Sequence, residues 1–281
     1  MSRGMEPLPP IQTAHLFPRV EGKLLELLRS LGPDDWERQT VAPRWKVRDV
    51  AAHLLDTELR KLSMARDGGR LMDAGPVAGA GLVALIDGLN AEGVRVYRRL
   101  SPEVLTALME VASRELCAYV ASLDPFGQAP FGVSWAGQER SPNWFDTARE
   151  LTERWHHQQQ IRLAVDRPGI LTRDLYHPVL DCFLRALPFT YRSVPARSGV
   201  FARFNVSGEC GGSWFLCRDG EAWTLAVAPV GEKIAETTIP QEIAWRIFTK
   251  GIGREAAEAQ VRVEGDAGIG LHVLSLVAIV G

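Results

Sequence analysis

Glu153 and His157 stand four residues apart in ELTERWHHQQQIR, residues Glu150–Arg162. On a helix that spacing turns about 40° around the axis, so both side chains can face one point. Asp146, Glu150 and Gln160 fall on the same stripe, with Trp144, Leu151 and Trp155 opposite. A carboxylate and an imidazole one turn apart can hold one divalent cation from a single helix, and a third ligand must then come from elsewhere. His53 is the candidate. It sits in WKVRDVAAHLL (Trp45–Leu55), at the edge of an apolar stripe, about 100° from Leu54. Two histidines and one glutamate leave coordination positions open, as in a catalytic rather than a structural metal site. A plainer arrangement competes with this one. The stripe from Asp146 to Gln160 also has the form of a solvated helix face, which periodicity alone favours. A lone partly buried histidine is more often structural. His156 can also replace His157, because i,i+3 positions meet as well.

Other chemistries have less support. Cys117 and Cys182 lie inside apolar helical segments and read as core. There is no GxSxG, no P-loop and no GxGxxG after a strand. The four cysteines lack CxxC spacing, so neither a disulfide framework nor a zinc ribbon is expected, and a reducing cytoplasm is the expected setting. The opening MSRGMEPLPPIQ has no apolar core of a secretory signal. No apolar run reaches the ~18 residues of a membrane span. Lys and Arg number 32 against 34 Asp and Glu, and they are dispersed, so no nucleic-acid surface is expected. No oligomeric state follows from the sequence.

The elements that must position these residues are mostly helical. Helices are expected over Leu16–Leu31, from Trp45 to about Arg66, from about Ala78 to Leu100, and from Ser101-Pro102 to about Leu123. A Gly- and Pro-rich loop follows. Ser141-Pro142 then opens a helix reaching about Val165, and another runs from about Arg173 to Tyr191. Short loops between long helices favour a bundle. After Pro195–Gly199 the pattern changes. FARFNV, SWFLCR and AWTLAVA read as strands, Pro240–Lys250 as a helix, Gln260–Glu264 as a strand, and Ile269–Val280 as an apolar final helix. The chain is therefore expected to be multidomain. Residues 1–194 form the helical bundle and 200–281 a small α+β domain, and a chain of 281 residues is long enough for two cores.

The pairing of W-x-V-R-D-V-A-A-H-L-L (Trp45–Leu55) with E-x-x-x-H and QQQIR (Glu153–Arg162) resembles the mycothiol-dependent maleylpyruvate isomerase family, one of the DinB-like metal-binding helical bundles. DDWERQTVAPRW, LNAEGVRVYRRLSPEVL and the segment around Trp135 and Trp144 fit the same family. The likeness spans roughly residues 11–190. Val263–Leu274 (VEGDAGIGLHVL) is similar to the strand-turn-helix of sterol-carrier-protein-like domains, which some members carry at the C-terminus.

The resemblance implies an all-α DinB-like four-helix bundle followed by a small α+β sterol-carrier-protein-like domain. It implies a divalent metal, zinc first, with nickel, iron or cobalt also suited by the donors, held by His53, Glu153 and His157. Trp45 and Asp49 would be structural. Members often carry Asp where this chain has Gln160, which keeps hydrogen bonding and loses the charge. The implied cosubstrate is mycothiol or another low-molecular-weight thiol, and the other partner is a small electrophilic acid. The implied reaction is cis-trans isomerisation of maleylpyruvate, or a related thiol addition or transfer. Arg95, Arg98 or Arg162 would be candidates to hold the substrate carboxylates, with plain surface charges the competing role. A non-catalytic protein binding a metal and an apolar ligand is the alternative from another class.

Overall fold

The computed structural model describes residues 6–69 and 80–279. Helices come first: α1 Phe17–Arg29, α2 Pro33–Trp36, α3 Val47–Lys61, α4 Ala80–Tyr97, α5 Pro102–Ser122, α6 Asn143–Val165, α7 Arg173–Leu184 and α8 Leu187–Thr190. Strands β1 Val200–Ser207, β2 Gly212–Asp219, β3 Ala222–Ala226 and β4 Glu232–Pro240 follow. They lead to α9 Gln241–Phe248, α10 Arg254–Glu258, β5 Arg262–Gly265 and α11 Ala267–His272. The long helices match the sequence expectation to within a few residues, except that the single helix expected from Arg173 to Tyr191 is two, α7 and α8. α3 continues through a π-helical turn, Leu62–Arg66. The expected start of α4 at Ala78 lies outside the described residues. No described helix is long and apolar enough to cross a membrane.

Local signals explain the boundaries. The Asp49 carboxylate accepts from the backbone N–H of Lys46 at 3.0 Å and so caps α3. Ser101 Oγ accepts from Val104 N at 3.3 Å, with Pro102 in the first turn of α5. α6 ends where Asp166 takes a left-handed conformation, φ 55°.

Two compact units emerge. One comprises Gln12–Pro130 and Glu153–Ile170. Its core joins Leu24, Leu27 and Leu28 of α1, Val50, Ala51 and Leu54 of α3, Leu105 and Met109 of α5, and Ile161 and Val165 of α6. The other comprises Phe131–Thr152 and Leu171–Ile279, with residues up to Ile11. It holds a mixed five-stranded sheet of order β3-β2-β1-β4-β5, in which β1 and β4 are parallel and the other pairs antiparallel. α7 and α8 fall in this second unit with the sheet. Side-chain hydrogen bonds tie α7, α8 and the segment after them to the sheet and its helices. Tyr176 Oη donates to Gln241 O at 2.7 Å and Tyr191 Oη to Ile269 O at 2.7 Å. Trp214 Nε1 donates to Asp181 at 2.8 Å and Trp223 Nε1 to Val194 O at 2.9 Å.

Strand β4 was not expected from sequence. Its buried positions are Ala235, Thr237 and Ile239, two of them small or polar, so its alternation is faint beside Glu232, Lys233 and Glu236. The final apolar segment is shorter in helix than expected. α11 ends at His272, a 3-10 turn covers Val273–Ser275, and Ala278 N donates to Phe248 O at 2.9 Å. Val280 lies outside the described residues.

One buried polar cluster fixes α6 against α3. Arg154 is 1% exposed and Glu58 fully buried. Arg154 Nη1 donates to Leu54 O at 2.8 Å and reaches Glu58 Oε1 at 3.2 Å; Nη2 donates to Thr57 Oγ1 at 3.1 Å. Arg154 Nε lies 3.7 Å from Glu21 Oε1, and Ser113 Oγ donates to Glu58 Oε1 at 2.8 Å. Burial pushes the Glu58 carboxyl well above the usual carboxylate range; Arg154 opposes the shift and Glu21 adds to it.

Removing one partner of a buried ion pair leaves the others unpaired. Arg154→Met should therefore cost about 3–5 kcal/mol in urea unfolding at pH 8. Glu58→Gln, which removes the surplus carboxylate, should cost far less. Glu58 holds its proton in the folded state above the ordinary carboxylate value, so its contribution is full below that value and is lost as pH rises through the folded one. The Arg154→Met deficit should accordingly shrink between pH 8 and pH 5.

Candidate metal centre

α3 supplies one imidazole and α6 supplies the other donors. His53, Glu153, His156 and His157 all belong to the first compact unit. The His53 and His157 ring centroids lie 4.6 Å apart, edge to face. His157 Nε2 approaches Glu153 Oε2 at 3.5 Å, and His156 Nδ1 approaches the same oxygen at 4.0 Å. Among the described residues, Glu153, His156 and His157 are the group whose donor atoms all lie within 4.8 Å of one another. His53 joins this group by ring contact with His157 rather than within that radius.

The stripe on α6 is not a solvated face. Asp146, Glu150, His156, His157 and Gln160 are all buried, and only Glu153 is partly open, with its side chain 25% exposed. Two of the acids have other work. Asp146 accepts from Arg149 at 2.7 Å, and Glu150 pairs with the same guanidinium at 3.2 Å.

The donors suit a divalent ion. His53 Nδ1 is buried with no hydrogen-bond partner, an orphaned atom that a metal bond would satisfy. Burial, then the neighbouring His157, hold the His53 ring well below the usual imidazole range, so it is neutral and keeps a lone pair. His157 Nδ1 lies 2.9 Å from Gln160 Oε1. An amide oxygen only accepts, so Nδ1 donates to it, which leaves Nε2, on the Glu153 side, as the ring nitrogen that could bind an ion. This is the arrangement that orients a metal-bound histidine. It gives Gln160 a role that its lack of charge had left open.

Trp45 does more than close the start of α3. Its ring lies 4.6 Å from that of His53 and 5.8 Å from that of His157. Asp49 caps the helix and pairs with Arg98 at 3.1 Å. The arginines considered for carboxylate binding are engaged elsewhere. Arg95 pairs with Glu92 at 3.7 Å, and Arg162 donates to the carbonyls of Arg167 and Lys23 at 3.0 and 2.9 Å. The cysteines offer no nucleophile. All four are free, and burial, with Glu21 and Glu58 nearby, pushes the Cys117 thiol up to about 12.

Sequence reasoning missed the Trp45 contacts and the tautomer lock by Gln160. The three-residue step from His157 to Gln160 was visible. The contact between Trp45 and two imidazoles needs the tertiary fold.

Residues 17–162 match the family model described as the mycothiol maleylpyruvate isomerase N-terminal domain. No curated protein matches the chain. Among solved structures, a mutant of the mycothiol-dependent maleylpyruvate isomerase aligns over 92% of this chain and 95% of that one, at 11% identity and a TM-score of 0.55. Another structure of the mycothiol-dependent maleylpyruvate isomerase aligns over 85% and 88% at 13% identity, with a TM-score of 0.48.

Gln160→Leu removes the acceptor for His157 Nδ1 and should weaken zinc binding by about 10–100-fold in chelator competition. Gln160→Asp should restore or exceed the original affinity, since a carboxylate is the stronger acceptor.

Proposed function

The chain belongs to the mycothiol maleylpyruvate isomerase family, and on that premise we propose that it is a metal-dependent enzyme using a low-molecular-weight thiol of the mycothiol type. The reaction we assign is cis-trans isomerisation of maleylpyruvate, or a closely related addition or transfer of the thiol to an electrophilic acid. The observation that carries this reading is the gathering of His53, Glu153 and His157 in one unit, with an orphaned Nδ1 on His53 and a His157 ring oriented through Nδ1 by Gln160. The proposed ligands are those three residues, and zinc is the first choice among ions that suit the donors. The same reading takes the helical unit as a DinB-like bundle and the C-terminal sheet as sterol-carrier-like.

A divalent ion bound there would lower the thiol pKa and make a thiolate available at neutral pH. The chain's residues prepare that step. Burial holds His53 in its neutral form, so it need not shed a proton before ligation. Trp45 lays an apolar ring beside both imidazoles, and Gln160 holds one of them in its tautomer. Glu153, the partly exposed member, marks the side open to an arriving thiol. An activated double bond that accepts the thiolate becomes single, with the electron pair held on the conjugated carbonyl; it rotates and re-forms as the C–S bond breaks and the thiolate leaves. Positioning of the substrate is the protein's further contribution.

Purified protein should carry about one divalent ion per chain, since the donors make a single set. His157→Ala should remove the ion with helical circular dichroism retained. Cobalt-substituted protein should gain a sulfur-to-metal charge-transfer band when mycothiol or a simple thiol is added. A bound ion with a flat thiol titration would favour a non-catalytic binding protein instead, and metal-free protein after mild purification would overturn both.

A further inference from the structure

α5 is apolar on both sides. Its inner face, Leu105, Met109, Ala112, Leu116 and Val120, is buried in the helical unit. The outer face of an ordinary bundle helix is charged or polar. Here Val104, Leu108 and Val111 stand on it 48%, 44% and 50% exposed, with Ala107 and Ala118 exposed on the same side. These five positions span about 100° of the helix surface and make one stripe. A helix that is hydrophobic all round is normally buried all round, so the stripe calls for a partner.

The charges beside the stripe select the partner. Only four of the 21 residues of α5 are charged. Glu110 is held by Arg29 of α1 at 2.6 Å, and Glu115 by Arg66 at 3.1 Å. Glu103 sits beside Ser101 and makes no ion pair among the described residues. Arg114 has its side chain 70% exposed and comes only to 3.7 Å from Glu115. Glu103 and Arg114 are eleven residues apart, about three turns, so they share one flank of the stripe. Two antiparallel helices related by a twofold axis bring the same flank of each together. Glu103 of each copy then faces Arg114 of the other. The axis falls beside Leu108, with Val104 and Val111 to either side, so apolar residues fill the centre and opposite charges the rim.

We propose that α5 is a self-association surface, through which two copies of this chain pair as antiparallel helices about a twofold axis. The inference is independent of the metal-dependent reading, because no residue of the stripe belongs to the donor group. A seam of one helix per copy is at the small end of specific interfaces, so the dimer forms reversibly.

The test is sedimentation velocity of the full chain from about 1 to about 200 µM. Wild type should move from the 31.0 kDa monomer toward twice that mass as concentration rises. Leu108→Lys combined with Val111→Lys should stay monomeric, with helical circular dichroism retained, because both side chains are already exposed. Val104→Gln combined with Val111→Gln repeats the measurement if the lysine variant folds poorly. Glu103→Arg and Arg114→Glu each set like charges against one another and should each weaken the dimer at least about tenfold. Mixing these two variants restores both opposite-charge pairs, so a heterodimer should form with near wild-type affinity. A wild type that stays monomeric at the highest concentration would overturn a second copy as the occupant. A dimer that survives the changes at Leu108 and Val111 would place the contact elsewhere and overturn the proposal. A mixture that yields no heterodimer would overturn the antiparallel pairing.

Discussion

Arg154 carries a guanidinium into a helical core where Glu21 and Glu58 compete for it. Its neighbour in sequence is Glu153, and its hydrogen bonds run to Leu54 O and Thr57 Oγ1, just after His53 on α3. One side chain therefore ties the helix bearing the carboxylate to the helix bearing the distant imidazole. Such a buried ion cluster is poor value as pure stability, because desolvation opposes the Coulombic gain. What it supplies is a defined spacing. An apolar side chain of similar volume would let α6 slide or rotate on α3, and the donors would lose their common focus. The surplus negative charge is met by protonation, since Glu58 sits well above the usual carboxylate range. The cluster thus stays close to neutral while keeping directional hydrogen bonds.

Neutrality recurs at the site. Desolvation depresses the His53 pKa, so burial favours the protonation state that a metal ligand requires. His157 is oriented through its other ring nitrogen by Gln160. A charged carboxylate in that place would be a stronger acceptor, but it would add a buried negative charge close to Glu153. With glutamine, Glu153 brings the only carboxylate to the donor group. The partial exposure of Glu153 limits the cost of that charge.

Much of the helical order was legible because it is local. Ser101-Pro102, Gly68-Gly69 and the Asp166-Arg167-Pro168-Gly169 run mark helix ends through backbone chemistry that needs no tertiary partner. The Glu153–His157 pair was legible for the same reason, since one turn of helix dictates who meets whom. The bonds that tie α7, α8 and the segment after them to the sheet and its helices were not. Tyr176, Tyr191, Trp214 and Trp223 reach partners 29 to 78 residues away, and no pattern within a helix announces those bonds. β4 escaped because Ala235 and Thr237 make a weak apolar face. The stripe on α6 was misjudged by periodicity because polar residues normally face water. Here Arg149 and the imidazole cluster give them buried partners.

The stretch matched by the family model, residues 17–162, contains His53, Glu153, His156, His157 and Gln160, and also Glu21, Glu58, Ser113 and Arg154. It ends two residues after Gln160. The donors and the ion cluster that spaces their helices thus fall within one sequence signature, whereas the sheet lies wholly outside it. Fold likeness extends further, over 92% of the chain at only 11% identity. Those two ranges follow from different constraints. A hydrophobic core tolerates many substitutions that keep volume and pattern, so a backbone can persist while its sequence drifts. A set of metal donors would be less tolerant, because a change of one side chain would remove a bond to the ion and a change of spacing would move a donor off its focus.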